Sequence, residues 1–172
     1  MRIYLTGFMG SGKTTVGARL AAALGCRFVD LDGEIEEAAG LQVREIFARD
    51  GEEAFRRLEH DALARTLAEP EVVVATGGGT VTLQTNRDLI GRAGLSVWIN
   101  PPFAVIASRI GGTGKEDRPL FRDEVQALEL YRSRLAAYRS ADLRVEVGAA
   151  EEPAEVAARI RLLLGRMSGL PR

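Results

Sequence analysis

The stretch "GFMGSGKT", residues 7–14, decides the fold of this 172-residue chain. It fits the pattern G-x-x-x-x-G-K-[ST] and follows the apolar run "RIYLT" at residues 2–6. Val16, Leu20 and Leu24, which come next, share one face of a helix. Glycines allow the backbone to curl so that its N–H groups point at phosphate oxygens, and a helix N-terminus adds partial positive charge. The sequence therefore predicts a phosphate-binding loop between a strand and a helix.

This loop predicts binding of a nucleotide through its phosphates. Lys13 is expected to reach the β- and γ-phosphates, and the Thr14 hydroxyl is expected to ligate Mg²⁺. The predicted nucleotide-binding set is completed by Gly10, Ser11, Gly12 and Thr15. The alternative is a glycine-rich turn with an exposed lysine, and the loop alone does not say what happens to the phosphate.

Short aliphatic runs alternate with helical patterns along the chain. The runs are "RIYL" (2–5), "RFVD" (27–30), "EVVVAT" (71–76), "LSVWI" (95–99) and "LRVEV" (143–147). Later helical faces are formed by Phe55, Leu58 and Ala62, by Val125, Leu128, Leu135 and Tyr138, and by Val156, Ile160 and Leu163. Such alternation indicates βαβ units, so we predict an α/β three-layer sandwich of the P-loop NTPase type with a five-stranded parallel sheet. Residues 1–172 are expected to form one domain, with a helical insertion around 33–60 and a mobile lid around 111–123.

Composition narrows the class of protein. The formal net charge of −1 argues against a nucleic-acid platform and against a basic membrane-surface protein. No apolar run reaches the length of a membrane helix, and the chain enters its first strand without room for a signal peptide. Cys26 is the only cysteine, which excludes an intrachain disulfide. We expect a cytoplasmic monomer without nucleic-acid or membrane partners.

The segment "FVDLDGEIEE", residues 28–37, places Asp30 and Asp32 at the end of the second predicted strand. Alternation along an extended strand end would point both carboxylates in the same direction, toward the γ-phosphate. They would repel each other unless a cation lay near one of them, and Mg²⁺ at Asp30 would relieve that repulsion. The spacing alone leaves open surface decoration, half of a metal site, or a base beside a metal.

Three classes of P-loop protein are compatible with the loop, and the rest of the chain separates them. A GTPase switch would carry an Asn-Lys-x-Asp motif for guanine, which this sequence lacks. A motor or AAA-type ATPase needs a longer chain and an acidic strand end, which "VVVATGGG" does not supply. A small-molecule kinase must hold an acceptor, activate its hydroxyl and close over the phosphates, and three segments suit these tasks.

The first segment is "FRRLE", where Arg56 and Glu59 lie one helical turn apart, so that the carboxylate can orient the guanidinium for bidentate binding of an acceptor carboxylate. The second is "TGGGT" (76–80), which leaves bare backbone at the edge of the sheet where ligands bind. The third is "GGTGKEDRPLF" (111–121), which resembles a lid that carries Arg118 to the phosphates. The alternatives are a solvated helix face, a tight connection and a disordered surface loop, respectively.

Together these segments resemble the shikimate kinase family, which is nucleoside-monophosphate-kinase-like. The resemblance covers nearly the whole chain in order, through "GFMGSGKTTVG", "DLD", "IFARDGEEAFRRLE", "ATGGG", "DRPLF", "YRSRLAAY" and a final helix that begins near Pro153. Members transfer the γ-phosphoryl group of ATP to the 3-hydroxyl of shikimate, with Mg²⁺. A related kinase of another small carboxylated polyol, such as gluconate, is the alternative, and a GTP-dependent regulator is the unrelated rival.

The resemblance implies a role for each of the following residues. Thr14 ligates Mg²⁺, Asp30 holds it through water, and Asp32 binds the acceptor hydroxyls and acts as the base. Lys13 and Arg118 complete the catalytic set. Arg56 and Arg134 bind the shikimate carboxylate, Gly78 and Gly79 contribute backbone contacts, and Glu59 orients Arg56. Without the resemblance, Arg134 would be read as a structural arginine on an amphipathic helix.

The resemblance also implies that Arg109 stacks near the adenine and that Arg118 contacts the phosphates from the lid. The stretch between these two arginines is slightly longer than in some relatives. The lid motif of the family reads Arg-Pro-Leu-Leu, and Phe121 takes the last place here. No residue is assigned to the adenine-facing loop near 148–153. His60, the only histidine, is expected to have a surface or supporting role.

Overall fold

A five-stranded parallel sheet forms the centre of the protein, for which a computed structural model describes residues 1–112 and 124–168. The strands are β1 (Arg2–Thr6), β2 (Arg27–Asp30), β3 (Val72–Ala75), β4 (Leu95–Asn100) and β5 (Leu143–Glu146). Their order in the sheet is β2-β3-β1-β4-β5, and every neighbouring pair is parallel. The predicted five-stranded parallel sheet is confirmed.

Helices cover both faces of this sheet. They are α1 (Lys13–Leu24), α2 (Leu31–Ala39), α3 (Val43–Arg65), α4 (Gln84–Ala93), α5 (Phe103–Gly112), α6 (Glu124–Arg139) and α7 (Pro153–Ser168). Two short 3₁₀ helices, Thr66–Ala68 and Thr80–Thr82, follow α3 and β3. The predicted region 33–60 lies within α2 and α3, and α3 is interrupted at Gly51, whose φ of 82° and ψ of 172° are not helical.

Two hydrophobic cores show why the protein has three layers. Ile3 and Leu5 of β1 pack with α1 and α7, whereas Tyr4 between them packs on the opposite face with residues of α3 and α6. Side chains alternate across a strand, so each residue step along β1 changes the face of the sheet. The central strand β3 is buried throughout, as expected for a parallel strand covered on both sides.

The sequence pattern predicts the buried face of α6 only in part, since Tyr138 is buried and Leu135 packs against the core. Val125, expected in the core, is 68% exposed, and Leu58 of α3 is 38% exposed. The buried residues of α6 are Ala127, Arg134 and Tyr138. Hydrophobic periodicity misses Arg134, because a charged residue is not expected in the middle of a buried face.

The predicted lid, residues 111–123 with Arg118, lies outside the described residues apart from the last turn of α5. None of the helices in the described ranges 1–112 and 124–168 combines the length and the apolar character that crossing a membrane requires.

Candidate active site

The loop at residues 7–12 connects the carboxyl end of β1 to the first turn of α1. Gly7 and Gly12 have φ values of +139° and +99°, which L side chains rarely adopt. A Cβ added to Gly7 would also lie 2.6 Å from the carbonyl oxygen of Ile99 on the neighbouring strand β4. The loop therefore depends on glycine both for its backbone conformation and for its closeness to the sheet.

Lys13 begins α1 and folds back across this loop. Its Nζ donates hydrogen bonds to the carbonyl oxygens of Gly7, at 2.8 Å, and Phe8, at 2.9 Å, and the residue is only 8% exposed. The ammonium group is thereby held at the open side of the curled backbone, beside the N-terminus of α1. Ammonium, backbone N–H groups and the helix dipole together favour a polyphosphate at this position.

Thr14 and Asp30 join the loop to the end of β2. The Thr14 hydroxyl donates to Oδ2 of Asp30 at 2.6 Å, and Oδ1 of Asp30 accepts from the backbone N–H of Asp32 at 3.1 Å as the N-cap of α2. The expected geometry of the acidic pair is wrong, because the chain becomes helical at Leu31 and Asp32 lies in the first turn of α2. Both aspartates nevertheless line the same cavity as Lys13.

Asp32 is surrounded by groups that oppose its charge. Burial is the main cause that raises the pKa of its carboxyl from the ordinary 3.8 to about 6. The negative charges of Glu59 and Asp30 add to this, and the ammonium of Lys13 acts in the opposite direction. Oδ1 of Asp32 is buried and has no hydrogen-bond partner among the described residues. The carboxylate can therefore accept a proton or a hydrogen bond from a ligand hydroxyl.

The cavity beside Asp32 has a volume of about 620 Å³. The phosphate-binding loop, the two aspartates and two arginines all contribute to its wall. It is lined by Met9, Gly10, Lys13, Thr14, Asp30, Asp32, Gly33, Glu36, Val43, Phe47, Phe55, Arg56, Glu59, Thr76, Gly77, Gly78, Gly79 and Arg134. A cavity of this size fits a small polar ligand.

Arg56 projects from α3 with both terminal nitrogens engaged. Nη1 donates to Oε2 of Glu59 at 2.8 Å, and Nη2 donates to Oε1 of Glu52 at 3.0 Å. Glu59 is fully buried, so its charge depends on partners inside the protein. A Cβ added to Gly79 would overlap the Arg56 guanidinium. The predicted Arg56–Glu59 contact is thus present, and the glycine segment leaves room for it.

Arg134 reaches the same cavity from α6. It is 6% exposed, and its guanidinium carbon lies 5.9 Å from the centre of the Phe8 ring. The Tyr138 hydroxyl, one helical turn further, donates to the carbonyl oxygen of Gly78 at 2.6 Å and fixes the glycine segment. Burial raises the pKa of Tyr138 well above its usual range, so this hydroxyl stays a donor.

A second cavity, of about 480 Å³, lies on the other side of the phosphate-binding loop. Arg109 of α5 lines it, and its Nη1 donates to the carbonyl oxygen of Gly10 at 3.2 Å. Val147, Glu151 and Pro153 form part of its wall, so the loop near 148–153, which offered no sequence signature, does reach this site. The cavity adjoins residues 10–15, as a nucleoside bound beside its phosphates requires.

Sequence reasoning assigned no role to Thr80 and Asn86, both fully buried, and took Tyr138 for an apolar core residue. The contact of Tyr138 with Gly78 spans 60 residues, and no local motif announces it. The only available signal for Thr80 was its place directly after the three glycines.

No group of three or more histidine, cysteine or acidic side chains in residues 1–112 and 124–168 could form a metal site by itself. The Thr14 hydroxyl and the Asp30 carboxylate, 2.6 Å apart, offer two oxygen groups beside the phosphate-binding loop. Mg²⁺ is commonly held by one or two protein oxygens together with substrate phosphates and water, so these residues fit that ion.

The sequence matches a known protein family over most of its length. The profile of the family described as shikimate kinase matches residues 9–164. A shikimate kinase of Caulobacter vibrioides is 46% identical over 149 residues, which are 85% of this chain and 74% of that protein.

Solved structures separate the family from the wider fold. Shikimate kinase from Acinetobacter baumannii in complex with shikimate superposes with a TM-score of 0.89 at 34% identity, covering 99% of this chain and 95% of that one. A gluconokinase from Sinorhizobium meliloti reaches a TM-score of 0.59 at 20% identity, with 97% of each chain covered, which shows a shared fold alone. From the family match and these identities, this chain belongs to the shikimate kinase family of ATP-dependent phosphotransferases.

Proposed function

We propose that this protein transfers the γ-phosphoryl group of ATP to the 3-hydroxyl of shikimate, giving shikimate 3-phosphate and ADP for aromatic amino-acid biosynthesis. One observation carries the proposal: a single cavity is lined by the phosphate-binding loop, by Asp32, whose buried Oδ1 lacks a partner among the described residues, and by Arg56 and Arg134. A base therefore shares one cavity with a phosphate site and a carboxylate site. Shikimate supplies a carboxylate and hydroxyls on one ring.

The nucleotide occupies the loop and the second cavity in this proposal. Residues 10–15 surround the phosphates with backbone N–H groups, and Lys13 exchanges its carbonyl partners for β- and γ-phosphate oxygens. Arg109 lies against the adenosine from α5. We assign Arg118, outside the described residues, to the phosphates as a lid arginine.

Magnesium is assigned to Thr14 and Asp30, whose oxygens face each other beside the loop. Bound there, the ion would neutralise charge on the β- and γ-phosphates. Asp30 would hold it through water, while its second oxygen continues to cap α2.

The acceptor site needs a carboxylate anchor and a base. Arg56 and Arg134 bind the carboxylate, and the backbone of Gly78 and Gly79 passes close to the ring. Asp32 accepts the hydrogen bond of the reacting hydroxyl and takes its proton as the oxygen attacks the γ-phosphorus in line. A pKa of about 6 leaves Asp32 mostly ionised at pH 7, in a surrounding that favours taking up a proton.

A coupled assay of ADP release tests the proposal with shikimate, quinate, gluconate and no acceptor. We expect release that depends on shikimate and is much weaker with the other acceptors. Preference for gluconate would establish the alternative, which is less well supported because the gluconokinase likeness extends only to the fold. ADP release without any acceptor would favour an ATPase or a nucleotide-dependent regulator.

We also propose that the enzyme acts as a monomer in the cytoplasm, with ATP and shikimate rather than nucleic acid or membrane as partners. The described residues of one chain supply the loop, Asp32, Arg56 and Arg134, which supports a monomer that is active by itself. A molecular mass near 18.6 kDa by light scattering would support the monomer, and twice that mass would contradict it.

A further inference from the structure

A chain of hydrogen bonds runs behind Arg56 into the protein interior. Glu59, which accepts from Arg56 through Oε2, accepts from the Thr80 hydroxyl through Oε1 at 2.5 Å. Nδ2 of Asn86 donates to the carbonyl oxygen of Thr80 at 2.9 Å, and Oδ1 of Asn86 lies 2.6 Å from Nδ1 of His60. The three central members, Glu59, Thr80 and Asn86, are each 0% exposed.

The donor and the acceptor of each hydrogen bond in this series follow from the groups involved. Asn86 must turn its amide nitrogen toward a carbonyl oxygen, so its own oxygen faces His60. Nδ1 of His60 must then carry a hydrogen and donate it. Since Glu59 accepts at both oxygens, every bond in the chain points toward the carboxylate that holds Arg56.

These hydrogen bonds connect α3, which lines the acceptor cavity, with two elements that do not line it. His60 and Glu59 belong to α3, Thr80 to the 3₁₀ helix Thr80–Thr82, and Asn86 to α4. The 3₁₀ helix directly follows Gly79, where a Cβ would overlap the Arg56 guanidinium. A shift of this turn would therefore displace both Glu59 and the backbone against which Arg56 lies.

We propose that His60 and Asn86 are positioning residues for acceptor binding, which act on Arg56 through Thr80 and Glu59. Their hydrogen bonds hold the guanidinium in the orientation that receives the acceptor carboxylate. This inference rests on the proposed function, because it requires Arg56 to bind the carboxylate of shikimate. It extends the acceptor site to a half-buried histidine that does not line the cavity.

His60→Leu tests the proposal, with shikimate varied at saturating ATP and Mg²⁺. Loss of one hydrogen bond in a connected network corresponds to about a tenfold change at most, so we expect the KM for shikimate to rise roughly three- to tenfold. The kcat and the KM for ATP should stay within about twofold, because the Lys13 ammonium is held within the loop by the carbonyl oxygens of Gly7 and Phe8. His60→Asn should restore the KM, since the asparagine amide nitrogen can occupy the position of Nδ1.

Arg87→Gln is the matched control. Arg87 donates to the carbonyl oxygen of Thr82 at 2.9 Å, so it supports the same turn without a bond to Glu59, Thr80 or Asn86. Its replacement should leave the KM for shikimate unchanged. An equal rise in Arg87→Gln and His60→Leu would overturn the proposal, because general loosening of the turn would then explain both.

A double variant decides whether His60 acts through Arg56. His60→Leu combined with Arg56→Ala should have the same KM as Arg56→Ala alone, and independent, multiplying effects would overturn the positioning role.

Should His60→Leu not fold, Thr80→Val removes the donor to Glu59 with little change of shape and must also raise the KM. A folded variant with an unchanged KM overturns the inference while leaving shikimate kinase activity intact. Wild-type protein that releases no ADP with shikimate would instead refute the proposed function itself.

Discussion

Asp32 is placed where its ionised form is disfavoured. Its carboxyl is buried, Glu59 and Asp30 repel its charge, and Oδ1 has no partner among the described residues. A buried carboxylate without a partner lowers the stability of the ligand-free protein, and it is stabilised when a ligand hydroxyl or a cation binds beside it. Its surroundings therefore suit proton transfer better than they suit structural support.

The first prediction concerns Asp32→Asn, which keeps the shape of the side chain and removes the base. General base catalysis is worth roughly 10²- to 10⁴-fold, so kcat should fall by about that factor. Nucleotide affinity should change little, because Lys13 and the loop are unaltered. Steady-state kinetics and ATP titration measure the two quantities. Undiminished turnover would show that Asp32 is neither the base nor an essential acceptor ligand.

The second prediction is a pH dependence of stability. A carboxyl whose pKa rises from 3.8 to about 6 on folding binds its proton more tightly in the folded protein. Its favourable contribution is complete below about pH 4 and is lost as the pH rises through 6. Asp32→Asn should therefore be more stable than wild type at pH 7, by up to about 3 kcal/mol.

Urea denaturation of both ligand-free proteins at pH 4, 5, 6 and 7 measures this difference. The advantage of Asp32→Asn should shrink as the pH falls from 6 to 4. A difference that does not vary with pH would mean that the pKa of Asp32 is not raised in the folded state.

At the scale of elements, the turn after β3 determines whether Arg56 can take its place. Gly79 has ordinary backbone angles, with φ of −106° and ψ of −9°, so alanine is conformationally acceptable there. The added Cβ would overlap the Arg56 guanidinium, the movable end of a long side chain. The obstacle to alanine is therefore the arginine and not the backbone.

The third prediction follows: Gly79→Ala should fold and should raise the KM for shikimate about tenfold or more by displacing one of two charge-assisted contacts. Gly91→Ala in α4 is the control, because a Cβ there meets no described atom within 4 Å. Gly91→Ala should have the same KM for shikimate and the same kcat as wild type, and helix propensity should stabilise it by up to about 1 kcal/mol. Equal acceptor kinetics in the two variants would contradict the arrangement of Gly79 against Arg56.

The elements that sequence predicts well are those with a local signature. The phosphate-binding loop has a fixed spacing, the strands are continuous apolar runs, and Arg56 with Glu59 is a neighbouring pair on one helix. Asp32 lines the cavity, but it lies in the first turn of α2 rather than at an extended strand end, because β2 ends at the N-cap Asp30. The role of Arg134 is predicted only through the family resemblance, and Asn86 receives no role from the sequence. The burial of both residues comes from contacts distant in sequence, which leave no local signature.

For the whole molecule, the parallel sheet places two cavities side by side. The loop that follows β1 separates them, with Lys13 and Thr14 lining both. The acceptor cavity is completed by α3 and α6, and the other by α5 and the segment before α7. Two ligands can thus be bound by largely separate residues and still meet at the same loop.

The last prediction tests this separation through ligand-induced stability. A ligand at about 100 times its Kd stabilises the folded state by about 2.7 kcal/mol, which corresponds to a rise in Tm of roughly 5–10 °C for a chain of this size. Lys13→Ala should lose most of the shift produced by ATP with Mg²⁺ and keep the shift produced by shikimate alone. Arg134→Ala should show the reverse pattern, each variant being compared with its own ligand-free Tm. Loss of both shifts in either folded variant would show that the two cavities do not bind their ligands separately.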